Sequence, residues 1–152
     1  MMVKIAILSH GLIHNTKVVL SPWDAAVAEK TCPDGWHLPT KLEWDALIQS
    51  VGTSNSGMKL KAKNGWTDDG NGDDTYGFSA LPGGYIFYNP AIEKRFHQNV
   101  QEQAYFWTAS EYDNNPERAY YRYMAYDAEV VFQSFGVKGI ANSVRCVQND
   151  PQ

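Results

Sequence analysis

The chain has 152 residues, a formal net charge of -4, 20% charged and 13% aromatic residues. That length suits one compact domain with its own core, here taken as residues 1–152. The modest charge content excludes a disordered acidic chain, and the negative balance without any Lys/Arg run excludes a binder of nucleic acid or of an anionic membrane surface.

The opening MMVKIAILSHGLIHNTK has an apolar stretch far short of the roughly 18 residues of a membrane span. It also lacks the h-region and cleavage pattern of an export signal, so neither is expected. VKIAIL and KVVL, β-branched and aliphatic around the turn-like HGLIHNT, predict two short strands. SPWDAAVAEK predicts a short helix with Ser21 as N-cap, Pro22 at the first helical position and Asp24 closing a capping box. In TCPDGWHLPT, Pro33, Asp34 and Gly35 end that helix, Trp36 and Leu38 turn into the core, and Pro39 stiffens the approach to the next element. His37 alternates with its neighbours and is expected to face solvent or to hydrogen-bond a loop. Thr40 and Glu43 form a capping box for a second helix, with Trp44, Leu47, Ile48 and Val51 at i, i+3, i+4 and i+7 on its buried face and Gly52 as its stop.

From residue 53 to about 104, Gly, Asn, Asp and Pro sit where turns need them, and a loop region of that length usually does something. YFWTAS, AYYRYMAY, EVVFQSF and NSVRCVQ are four β-rich runs that predict an antiparallel meander. Strands, two helices, a long loop region and strands again make the chain α+β.

Cys32 and Cys146 are the only cysteines. A bridge between them would close a long loop, worth about 4 to 5 kcal/mol; two buried thiols are the alternative. No His stands at metal-ligand spacing to either. Asp68 to Asp74 gather carboxylates as a calcium loop would. Against the twelve-residue template from Asp69, however, Asp74 stands at the Gly position and Ala80 at the bidentate Glu. A solvated turn is expected there in preference to an irregular calcium site, and no cofactor is expected. Asp24, Glu43 and Asp45 are accounted for by capping and solvent-facing helix positions, and no nucleophile motif appears, so the chain reads as a non-enzyme.

WDAA, CPDGWHLPTKLEWDAL, DDTYGFSALPGGY, FWTASE, AYYRYMAY and SVRCV together closely resemble the Fibrobacter succinogenes major paralogous domain family, from about Trp23 to Val147. The resemblance implies a C-type lectin-like fold, related in shape to the formylglycine-generating enzyme. That fold has paired terminal strands, two helices, a long loop region and a C-terminal strand cluster, and the resemblance supports a Cys32–Cys146 disulfide. Family members often carry Asn-rich polar residues and a Gly-Phe pair before SVRC. Here VVFQSFGVKGIANSVRC brings Phe132, Phe135, Val137 and Ile140, with Ala141-Asn142 in place of Gly-Phe. Phe132 and Phe135 differ in strand parity, so these side chains cannot all enter one core.

The same ending resembles variable proteins of diversity-generating retroelements, whose rewritten Asn codons alter a binding face. It implies recognition of a protein or other cell-surface ligand through Tyr123, Tyr126, Phe132, Ser134, Phe135, Val137, Ile140 and Asn142, with tyrosines as rigid anchors. It also implies extracellular, cell-surface or virion display. Two rival readings remain. One is calcium-dependent sugar binding, although the Glu-Pro-Asn and Trp-Asn-Asp tripeptides are missing and NNPE at Asn114 to Glu117 is only a loose echo. The other is oxidase chemistry like that of the formylglycine-generating enzyme, which needs a reactive cysteine pair in an exposed cleft.

Overall fold

A computed structural model describes residues 18–150 of the chain. The expected strand VKIAIL and the turn HGLIHNT lie outside the described residues, and KVVL straddles their edge. Among the described residues the first strand is β1 (Leu20–Pro22) and the first helix α1 (Trp23–Ala26). Pro22, not Ser21, is the N-cap, and no side chain caps the helix. Ser21 is held extended in β1 opposite Asn142, so the helix starts later than its capping pattern predicts and lasts one turn. Its Trp23 is buried, with Nε1 donating to the Thr108 carbonyl at 2.9 Å.

The corner after α1 forms β2 (Trp36–His37). Leu38 enters the core as expected, whereas Trp36 stays half-buried because β2 pairs at the periphery with the last strand, β9 (Val147–Gln148). Helix α2 (Lys41–Val51) carries the expected capping box: Glu43 N donates to Thr40 Oγ1 at 3.2 Å and Thr40 N to Glu43 Oε2 at 2.8 Å. Trp44, Leu47 and Val51 are buried and Ile48 half-buried.

The region from 53 to 104 holds more regular structure than its turn chemistry predicts. A 3₁₀ turn (Thr53–Asn55) leads into a third helix, α3 (Ser56–Leu60), and β3 (Tyr85–Asn89) pairs with β4 (Lys94–Gln98) as a hairpin. The C-terminal third gives β5 (Gln103–Tyr112), β6 (Asn115–Ala125), β7 (Phe132–Val137) and β8 (Ala141–Ser143). β5, β6 and β7 form the expected antiparallel meander. NSVRCVQ does not continue it. That run splits into β8, which lies between β3 and β5 and runs parallel to β5, and β9, which joins β2 in a separate small sheet. The large sheet has the order β4-β3-β8-β5-β6-β7 with β1 added on β8. Among the described residues the chain is α+β with three short helices.

One core joins Trp44, Leu47 and Val51 of α2 to Phe78, Phe106 and Met124, with the Trp44 ring 5.8 Å from Phe78 and 5.7 Å from Phe106. A second joins Trp23 and Ala26 of α1 to Leu38, Trp107 and Ala119. Cys32 and Cys146 form a disulfide with Cα atoms 5.8 Å apart. It ties the corner after α1 to the chain just before β9.

Candidate recognition surface

Cross-strand register decides where the expected binding residues go. Tyr123 opposes Phe132 and Tyr121 opposes Ser134, whereas Tyr120 opposes Phe135 and Arg118 opposes Val137. Directly opposed residues share a sheet face and successive residues alternate. Tyr123, Phe132 and Ser134 therefore lie on one face, Phe135 and Val137 on the other.

On the first face Tyr123 stacks on Phe132 at 4.9 Å and on Tyr105 at 5.7 Å. The rings continue through Tyr85, 5.2 Å from Tyr105, to Phe87 and Phe96, which stack at 5.0 Å. An aromatic band thus crosses the sheet from β4 to β7, half-buried except for the buried Tyr105. Burial pushes the Tyr105 phenol up to about 12, and the hydroxyl accepts from Asn99 Nδ2 at 2.9 Å. Every ring of the band is less exposed than Phe135 on the opposite face.

The second face is more open. Phe135 is 36% exposed and Val137 49%. The Phe135 ring stacks on Tyr112 with centroids 3.8 Å apart and planes 14° apart, and Tyr120 meets Tyr112 edge-on at 5.4 Å. Charges frame this stack. Lys41 Nζ sits 4.4 Å over the Tyr120 ring and 3.9 Å from Asp113, and the Arg118 guanidinium lies 5.7 Å over Phe135. The Tyr120 hydroxyl donates to Asp113 Oδ2 at 2.9 Å, and that carboxylate raises the phenol's pKa. Beside Lys41 in the first turn of α2, Leu42 is 72% exposed.

The remaining expected positions lie elsewhere. Tyr126 is half-buried against the α2 core, so close to Gly70 that a Cβ there would stand 2.5 Å from the Tyr126 Cβ. Ile140 packs on the Trp23–Trp107 core. Asn142 is fully buried, and neither its Nδ2 nor its Oδ1 has a partner among the described residues. With its side chain wholly enclosed, it takes no part in a displayed face.

The acidic turn is a built loop. Asp68, Asp69 and Asp74 take left-handed φ values of 46°, 58° and 45°. The Asp74 carboxylate accepts from Ser79 N at 2.7 Å and Ser79 Oγ at 2.5 Å, while Gly72, Asp73 and Thr75 donate to the carbonyls of Ala62, Met58 and Lys59. Among the described residues no group of three or more His, Cys, Asp and Glu is arranged to hold a metal ion.

Two polar residues hold more than the sequence suggests. Asp45, expected to face solvent, accepts from the buried Arg122 at 2.6 Å. His37 places Nε2 2.7 Å from Glu43 Oε1 and Nδ1 2.5 Å from Asn149 Oδ1. Burial pulls its pKa down, but the bonds to Asn149 and Glu43 and the charges of Glu43 and Asp150 outweigh this and raise it above 6.5. Sequence reasoning also misses Tyr112, Tyr120, Lys41 and Arg118, whose meeting depends on strand register. The i, i+2 spacing of Tyr85/Phe87 and Tyr121/Tyr123 is the signal that exposes the band.

A sequence model of the Fibrobacter succinogenes major domain family matches residues 13–148. No curated protein and no solved structure matches the chain.

Proposed function

The chain belongs to the Fibrobacter succinogenes major domain family, and from that premise we propose a non-enzymatic recognition domain of C-type lectin-like fold that grips a protein or other cell-surface ligand through the Phe135 face. The observation that carries this reading is the exposed Phe135 ring held flat on Tyr112. A ring already fixed by stacking loses little rotamer freedom on binding, so more of its burial appears as affinity. Val137 extends the apolar patch. Lys41, Arg118 and Asp113 supply a mixed-charge rim that orients a partner more than it adds to affinity.

The lectin-like reading draws support from the Cys32–Cys146 bridge and from the pairing of β1 and β2 with β8 and β9. The non-enzymatic reading draws on the structural work of the polar groups: Glu43 caps, Asp45 holds Arg122, and Asp74 holds Ser79. A diversified face, displayed outside the cell or on a virion, is the form of this function suggested by the resemblance of the chain's ending to variable proteins of diversity-generating retroelements.

The test is a binding screen of the chain against arrayed extracellular proteins and glycans, followed by titrations of any hit with the Phe135→Ala and Tyr112→Ala variants. Phe135→Ala should weaken binding by about 30-fold or more, as loss of a hot-spot aromatic does, without unfolding the chain. Unchanged affinity would reject this face, and a strict calcium requirement would favour the sugar-binding reading.

A further inference from the structure

Among the described residues the main path of the large sheet ends at β4 and at β7, and these two edges are built differently. β4 carries Lys94 and Arg95, both exposed, and such charged side chains discourage an edge from pairing with another chain. β7 reads FQSFGV, with no charge and no proline, and keeps regular register with β6 from Phe132 to Val137. Among the described residues, the backbone from Phe132 to Gly136 makes no hydrogen bond other than to β6. Only another extended strand supplies donors and acceptors at the spacing this open edge requires.

We propose that the strand is β7 of a second copy, paired antiparallel across a two-fold axis so that the two sheets become one. The charges around β7 favour this partner and this direction, with Arg118 the main basic group because exposed Glu117 lies opposite Lys138. Asp127 and Glu129, both exposed, precede the strand; Lys138 follows it, and Arg118 lies opposite Val137. In an antiparallel self-pairing, the acidic end of each copy meets the basic end of the other, whereas a parallel pairing would set like ends together. Asp127, Glu129 and Arg118 form no ion pair among the described residues. Lys138 already sits 3.0 Å from Glu111 and 4.1 Å over Trp23, so Arg118 carries more of the attraction. The uncharged centre meets its own copy without repulsion.

A symmetric pairing keeps each sheet face continuous when the axis passes Ser134 or Phe135, since opposed residues must share parity. The two Phe135 patches then lie side by side on one surface, and a clustered ligand would be held by both. The dimer stands independently of any ligand. A six-residue strand falls short of the roughly 1,200 to 2,000 Å² of a standard interface, so the dimer should be weak, with dissociation in the micromolar range.

Sedimentation velocity on the purified chain, from low to several hundred micromolar, should show a monomer–dimer equilibrium that salt weakens. Gln133→Lys should weaken it at least tenfold. Glu129→Arg should also weaken it, and adding Arg118→Glu to that variant should restore it. Both native cysteines are bridged, so Ser134→Cys adds a single thiol, and mild oxidation should give a covalent dimer while Arg95→Cys on β4 does not. A monomer at every concentration, a dimer indifferent to Gln133→Lys and Glu129→Arg, or equal cross-linking at both edges would overturn the proposal. Should Gln133→Lys fail to fold by circular dichroism, the two cysteine variants still decide.

Discussion

Removing the Cys32–Cys146 bridge should cost the fold close to half of a typical domain's stability. The cysteines are 114 positions apart, and a cross-link withdraws entropy from the unfolded chain in proportion to the logarithm of the loop it closes. For this loop that is about 16 cal/mol/K, or about 4.8 kcal/mol near room temperature, against typical totals of about 5 to 15 kcal/mol. With an unfolding entropy of about 2.1 cal/mol/K per residue over 152 residues, the shift in Tm is about 15 °C. The loss should begin locally. β2 and β9 have two residues each, and beyond the bridge they are held by contacts such as Asn149 N to the Gly35 carbonyl at 2.8 Å. The assay compares urea and thermal unfolding of the oxidised protein with those of the reduced, alkylated protein, while hydrogen exchange follows Val147 and Asn149. The reduced chain should also show a larger m-value, because its unfolded state is freer to expand. A Tm shift under about 5 °C, or two titratable thiols in the untreated protein, would refute this reasoning.

The His37 clamp makes stability depend on pH. Its folded pKa is raised above 6.5, so the stabilisation is complete below that value and fades as pH rises through the folded one; a series of urea melts from below pH 6.5 upward should show the fall, and His37→Gln should abolish it. Asp45→Ala should cost about 1 to 2 kcal/mol, less than a fully buried ion pair would because the carboxylate side chain is 48% exposed; a change within error in chemical denaturation would show that Arg122 is satisfied without it. Asn142→Leu removes an amide with no partner among the described residues and should raise stability by about 1 kcal/mol; a clear loss on thermal unfolding would show that the amide is satisfied. Trp44→Ala, at the centre of the α2 core, should cost about 3 to 5 kcal/mol in the same measurement.

Local features of the sequence were enough for local structure. Thr40 and Glu43 cap α2 from within one turn, and Trp44, Leu47 and Val51 sit at helical spacing, so nothing distant is needed to predict that helix or its buried side. Adjacent strands joined by short links are legible in the same way, which is why the β5–β6–β7 meander and the parting of Phe132 from Phe135 follow from alternation alone. The motifs around Cys32 and Cys146 were distinctive enough to point to the family.

Contacts between residues far apart along the chain were decided elsewhere. Three residues, Ala141–Ser143, slip between β3 and β5 and bury Asn142, because what covers each face of a strand is set by the elements packed over the sheet and not by the strand's own residues. Tyr112 reaches Phe135 through the register of two hairpins, and Asp45 finds Arg122 across the gap between helix and sheet. Composition left the cysteines open between a bridge and two thiols until the chain brought their Cα atoms within 5.8 Å. Sequence determines what each short segment can do unaided; which distant segments meet depends on a sheet order that no single segment encodes.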